Sequence, residues 1–380
     1  MNLEWIAEDF TDTIGHATKL ELEGIKSLSP YHTVTARDLD LANRLHSIDA
    51  FKNSNMVLAG EALSYQTFSG VGSNSVITNE LFKRITAKVV KNKINLVHLR
   101  VPSSYDIGTT TINVGRVSDF QVSGIVGVQL EANASAVIPP VNQGISQFPE
   151  FQRIYQRTKV EIQTFRKEKE IMGYIPTTKS LDLVQRMIEQ YIKDDIRIFG
   201  VDFSSSPLNR WLLRTVVSNI RRNLKIKGKV GENKDKHYYL HVFDVTSSKK
   251  SALPISPITD VLTHTYGVDS TSGVMWGGGK LVKDKLRYFN MQDYGAYQIN
   301  TLDREGVRYD RTLISGNASE VYDKLRVHKN VNYIKECDNI TQTLNGNTNS
   351  GYAPYVLSKV RASKQVREAL LDVQEIRGNS

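Results

Sequence analysis

The chain has 380 residues, of which 40% are hydrophobic and 23% charged, an ordinary globular balance that argues against global disorder. Lys and Arg outnumber Asp and Glu by 49 to 40, giving a net charge of +9 and pointing to a polyanionic partner, of which nucleic acid is the commonest. The single cysteine, Cys337, excludes an intrachain disulfide framework and a Cys-rich zinc site, and the absence of a long apolar run or a basic, apolar leader predicts a cytoplasmic protein with no membrane contact.

The first stretch mixes helical and loop signals: a helix over 36–45, a short strand over 56–59, then Gly60-Glu61 and a turn-rich segment. Leu81, Ile85 and Val89 share one helical face over 81–90. Residues 94–101 read as a strand that Pro102 ends, and 126–130 and 136–138 as further strands, the latter closed by Pro139-Pro140.

From residue 150 the alternation becomes regular. A charged helix over 151–169 precedes a strand over 171–175 that stops at Pro176. Leu181, Val184, Met187, Ile188 and Ile192 mark a helix over 181–193. A strand over 196–203, a helix over 211–224 and a strand over 238–245 follow. Residues 288–309 read as irregular, and 321–344 and 355–373 as helices joined by a flexible linker over 345–351.

Repeated strand–helix units imply a parallel sheet with helical crossovers. No Gly-x-Gly-x-x-Gly follows any strand, which disfavours a dinucleotide-binding open sheet. The fold expected is an α/β, TIM-like (β/α)8 barrel over 1–300, with a mostly helical C-terminal appendage over 301–380.

Polar groups cluster at the apparent strand ends: Thr177-Thr178, Asp202 with Ser204-Ser205-Ser206, Asp244 with Thr246, and Asp269 with Ser270-Thr271-Ser272. In a barrel such positions converge on one face, where active sites lie. A strand-end carboxylate among hydroxyls suits a nucleophile or general base, and equally an Asp capping a turn. Asp202 and Asp244 read either as helix caps or as contacts to a purine edge. His264, close to Asp269, is a candidate proton shuttle. Basic groups that fit phosphate contacts are Lys280 and Lys283, beside Gly277-Gly278-Gly279, and Arg221, Arg222, Lys225 and Lys227 at a helix end, where the dipole alone also favours cations.

Three segments carry a family resemblance: Tyr239-Leu240-His241-Val242-Phe243-Asp244, Tyr266-Gly267-Val268-Asp269-Ser270, and the tail from Val327-His328-Lys329-Asn330 to Leu371. In order and spacing they resemble the tRNA-guanine transglycosylase superfamily, including the branch that modifies DNA. The resemblance spans roughly 165–375 and lacks the family's zinc site. It implies replacement of guanine in nucleic acid by a 7-deazaguanine base, with DNA preferred over tRNA. Asp269 is then the nucleophile, Glu61 an acid/base, and Asp202, Asp244, Ser270, Ser272 and Gly200 line the base pocket. No metal or cofactor is implied. The partners would be DNA or tRNA and the incoming base, in a homo- or hetero-oligomer. The alternatives are a catalytically inactive nucleic-acid-binding subunit, and an unrelated barrel enzyme acting on a small phosphorylated ligand.

Overall fold

The computed structural model describes 4–8, 32–35, 57–59, 104–107, 110–113 and 116–378, the last with breaks at 132–133, 135, 166–168, 177–179, 227–237, 247–252, 274–280 and 345–351. The helices expected over 36–45 and 81–90, the strand over 94–101 and the linker over 345–351 lie outside or largely outside the described residues.

Eight strands form one parallel sheet: β1 (Glu4–Glu8), β2 (His32–Thr35), β3 (Val57–Ala59), β6 (Ala136–Val137), β7 (Glu170–Ile175), β8 (Ile198–Ser206), β9 (Tyr239–Val245) and β11 (Ser270–Gly273). Their spatial order is β3-β2-β1-β11-β9-β8-β7-β6. Going round, that is the chain order of a (β/α)8 barrel cut open between its third and fourth strands, with β3 and β6 at the two edges. A separate antiparallel pair joins β4 (Ser104–Ile107) to β5 (Thr110–Asn113).

The helices α1 (Asp119–Glu131), α2 (Phe148–Thr164), α3 (Leu181–Lys193) and α4 (Arg210–Asn223) pack one against the next outside the sheet. Three of them start on side-chain caps: Ser118 Oγ accepts from Gln121 N and Ser180 Oγ from Leu183 N, each at 3.2 Å, and Asn209 Oδ1 from Leu212 N at 3.1 Å. α3 and α4 end alike. The Ile196 amide donates to Tyr191 O and the Ile226 amide to Arg221 O, each at 2.9 Å, closing a six-residue loop through a left-handed residue. Those residues are Asp195 (φ 61°) and Lys225 (φ 53°), not glycines.

Two expectations are corrected. Residues 126–130 are helical, not extended: Val122, Ile125, Val126 and Leu130 are buried at helical spacing, and so many apolar positions leave a short window looking like a core strand. Gln129, on the same helix, accepts from Ile138 N at 2.7 Å and donates to Ile138 O at 2.9 Å, supplying polar partners just beyond edge strand β6. Residues 288–309 are not irregular throughout: β12 (Arg287–Asn290) and β13 (Gly295–Gln298) form a hairpin, with β10 (Ile255–Pro257) completing a three-stranded antiparallel sheet. Its strand signal is hidden because Arg, Asn and Gln occupy half-buried strand positions.

α5 (Ala318–Leu344) covers that small sheet and packs on β1. α6 (Tyr352–Leu357) and a helical turn at Val360–Ala362 lead into α7 (Ser363–Gly378), which lies against α4 and so extends the outer helical layer. Arg210 of α4 holds α7 by two hydrogen bonds to Asp372, at 2.8 and 3.0 Å, and two to Glu368, at 2.6 Å to its carboxylate and 3.2 Å to its backbone oxygen. Among the described residues, no helix is long and apolar enough to cross a membrane.

Candidate functional site

The register separates the two faces of the sheet. Phe199 meets Tyr191 of α3 edge-on, with ring centres 6.4 Å apart, so odd-numbered positions of β8 face the helices. Gly200 and Asp202 therefore face the other way, into the barrel. Gly200 is level with Tyr174 and His241, and Asp202 with Phe243.

Asp202 is fully buried. Its Oδ2 accepts from the Tyr174 hydroxyl at 2.6 Å and from Gln143 Nε2 at 3.1 Å. Phe243 packs on Tyr174 with centroids 6.2 Å apart, and the buried His241 meets Phe243 edge-on at 4.3 Å. Gln143 comes from the loop that follows β6, and Gly144 turns that loop at φ 78°. Gln143 is only half-buried, so it links the covering loop to an interior carboxylate. Asp202, Tyr174 and Gln143 thus sit towards the carboxyl ends of β6, β7 and β8, the end where barrel enzymes build their sites. Tyr174 and Gln143 were missed from sequence. Tyr174 looks like one more apolar strand residue, and Gln143 like part of a turn after two prolines.

The two strand-end aspartates do not meet. Asp269 precedes β11 instead of following it, at the level of Leu240. Its amide donates to Leu240 O at 2.8 Å, and its Oδ2 accepts from Leu240 N at 2.7 Å. It has the parity of Leu240 and Phe199, facing the helices, and it lies three residues nearer the amino ends than Asp202, or roughly 10 Å along the sheet. Its charge and that of Arg221 are felt by Tyr238, whose hydroxyl is pushed well above its ordinary pKa, first by burial and then by Asp269, with Arg221 opposing. His264 is also buried, with Nδ1 2.9 Å from Val268 O across the Gly267 turn.

The other expected residues are dispersed. Gly200 leaves room for neighbours: a Cβ there would come within 2.5 Å of Phe243 and 2.8 Å of Met172. Asp244 lies on β9, and Ser270 and Ser272 lie on β11, but their side chains fall outside the described residues, as do Glu61, Lys280 and Lys227 altogether. Arg221 is 2% exposed, which withdraws it from any phosphate contact. Arg222 donates to Asn219 Oδ1, and Lys225 is the left-handed residue that ends α4. Lys283 belongs to a different part of the chain, where it donates to Gly316 O at 2.9 Å. Among the described residues, no group of acidic, His or Cys side chains is arranged to hold a metal ion.

No family model and no curated protein matches the sequence. Among solved structures, the chain is similar to a protein designated a phosphonomutase from Burkholderia cenocepacia J2315, at 10% identity and a TM-score of 0.34, over 67% of this chain and 92% of that one. It is also similar to the carboxyl transferase domain of Rhizobium etli pyruvate carboxylase, at 12% identity and a TM-score of 0.37, over 98% of this chain and 55% of that one. The chain therefore spans about half the length of the second structure. At these scores neither likeness transfers an activity.

The base-exchange expectation is withdrawn, both as an active transglycosylase and as its inactive partner. The proposed nucleophile is a strand staple at the wrong end and on the wrong face of the sheet.

Proposed function

We propose that the chain is a barrel enzyme that performs acid–base chemistry on a small polar molecule at the carboxyl end of its parallel sheet, with Asp202 as the proton acceptor. The observation that carries this reading is a fully buried carboxylate, facing the barrel interior, with Tyr174 and Gln143 both on one of its oxygens. Burying a carboxylate costs several kcal/mol even after relaxation, as an order of magnitude, and a fold retains such a group where it is paired or useful. Tyr174 holds the carboxylate in one rotamer. Gln143 ties it to the loop through which a substrate would enter, so movement of that loop would change the contacts of Asp202.

The test is to incubate purified protein with a fractionated pool of small metabolites and follow depletion and product formation by mass spectrometry. Wild-type protein is expected to convert at least one component, and Asp202→Asn to lose 100-fold or more of that rate, in line with the ~10²–10⁴-fold typical of a positioned acid or base. Asp269→Asn, remote from the site, is expected to keep it. Conversion that survives Asp202→Asn removes Asp202 from the chemistry.

A further inference from the structure

A second cleft lies away from the barrel interior. The β12–β13 turn, the segment 305–308 and the helical turn before α7 wall a space of about 500 Å³. That volume is within the ~300–1,000 Å³ of small-molecule sites. Two acids and two bases line it: Asp293, Glu305, Arg308 and Arg361.

The acids are already engaged. Asp293 Oδ1 accepts from Gly295 N at 2.9 Å, and its Oδ2 accepts from the Tyr297 hydroxyl and lies 3.9 Å from Arg361 Nε. Glu305 Oε2 accepts from Arg361 Nη2 at 3.1 Å, and its Oε1 is 3.4 Å from Arg304. Arg361 Nε donates to the Tyr297 hydroxyl at 2.9 Å and its amide to Asp293 O at 2.9 Å, so the guanidinium is held in place while Nη1 has no assigned partner among the described residues. Arg308 is exposed and makes no ion pair or hydrogen bond among the described residues; Asn290 Oδ1 accepts from Gln292 N at 3.0 Å, which leaves the Asn290 NH2 group and the side-chain amide of Gln292 without a partner among the described residues. What remains uncommitted in the cleft is therefore almost wholly hydrogen-bond donors.

We propose that this cleft binds a small molecule through an oxyanion, either a phosphoryl group or a carboxylate, held between Arg308 and the outer nitrogen of Arg361. Guanidinium groups match both oxyanions in planar, two-pronged fashion. The amides of Gln292 and Asn290 supply neutral donors beside them, and Val360, 66% exposed, offers an apolar flank for the body of the ligand. The acids act as positioning groups for Arg361.

Isothermal titration of the full-length protein at low ionic strength, with inorganic phosphate and with succinate separately, tests the site. Saturable binding of at least one anion is expected. It should weaken tenfold or more in Arg308→Ala and in Val360→Glu, two exposed positions whose change leaves folding intact, and should be unchanged in Asp202→Asn. Binding of phosphate alone assigns the site to a phosphoryl group, and binding of succinate alone to a carboxylate. The proposal is overturned if neither anion binds saturably, if both cleft variants bind as wild type does, or if Asp202→Asn abolishes binding.

Discussion

Around Leu240, the backbone carbonyl takes the Asp269 amide and the backbone N–H gives to the Asp269 carboxylate, so one residue closes both sides of a neighbour on the next strand. Both groups are buried, and a buried N–H left without an acceptor costs about 1–3 kcal/mol. Asp269→Ala is therefore expected to lower the free energy of unfolding by about that much in urea titration, with no effect on catalysis beyond the fraction unfolded. A nucleophile would give the reverse pattern, with stability kept and turnover gone. The sequence around Asp269 contains the right atoms for either role, because Asp beside Ser and Gly is turn chemistry as well as site chemistry. Only the register of β11 on β9 separates the two, and register comes from pairing across the sheet, which a linear motif does not encode. Tyr174 shows the converse: its partner, Asp202, is 28 positions away, and no local pattern marks the pair.

At the level of single elements, α3 and α4 were legible almost to their boundaries, since both combine a clean apolar stripe with a side-chain cap. α1 was not, because an almost continuously apolar run suits helix and strand equally at short length. The ends of α3 and α4 carry Asp195 and Lys225 in a left-handed conformation, which costs a non-glycine residue roughly 1–2 kcal/mol. Part of that is returned by glycine's greater freedom in the unfolded chain. Asp195→Gly and Lys225→Gly are each expected to raise stability by about 0.5–1 kcal/mol in urea titration, a gain that a strained but functional Lys225 would offset with lost binding. The contact between α4 and α7 carries a pH dependence. Burial raises the Asp372 carboxyl, but hydrogen bonds from Arg210 and Tyr266 outweigh it and hold the group below its ordinary value of 3.8. The stabilisation is present in full above that value and is lost as pH falls beneath it. Hydrogen exchange of α7 is expected to accelerate in that acidic window ahead of α3, and Asp372→Asn to bring the faster exchange to neutral pH. Equal rates for the two helices throughout would show that this clamp does not hold α7.

For the whole molecule, the parallel sheet followed from the alternation of strand and helix, and the strand order confirms barrel topology through the described strands. What composition and motif could not supply is which end of the barrel each acid occupies. Asp202 and Asp269 look equivalent in the sequence, yet the first faces the interior towards the carboxyl ends and the second faces the helices nearer the amino ends. The net charge of +9 also overstates any one surface, since Arg221 is buried and Arg210, Arg214 and Arg361 are committed to acidic partners. The proposed role of Asp202 requires that it be retained for chemistry and not for folding. Urea denaturation of Asp202→Asn reads this directly, because the amide keeps an oxygen for Tyr174 and Gln143 while removing a charge from a buried site. Stability equal to or above that of wild type, together with lost turnover, is the expected result. A loss of more than about 2 kcal/mol would mark the carboxylate as a structural partner and contradict the assignment.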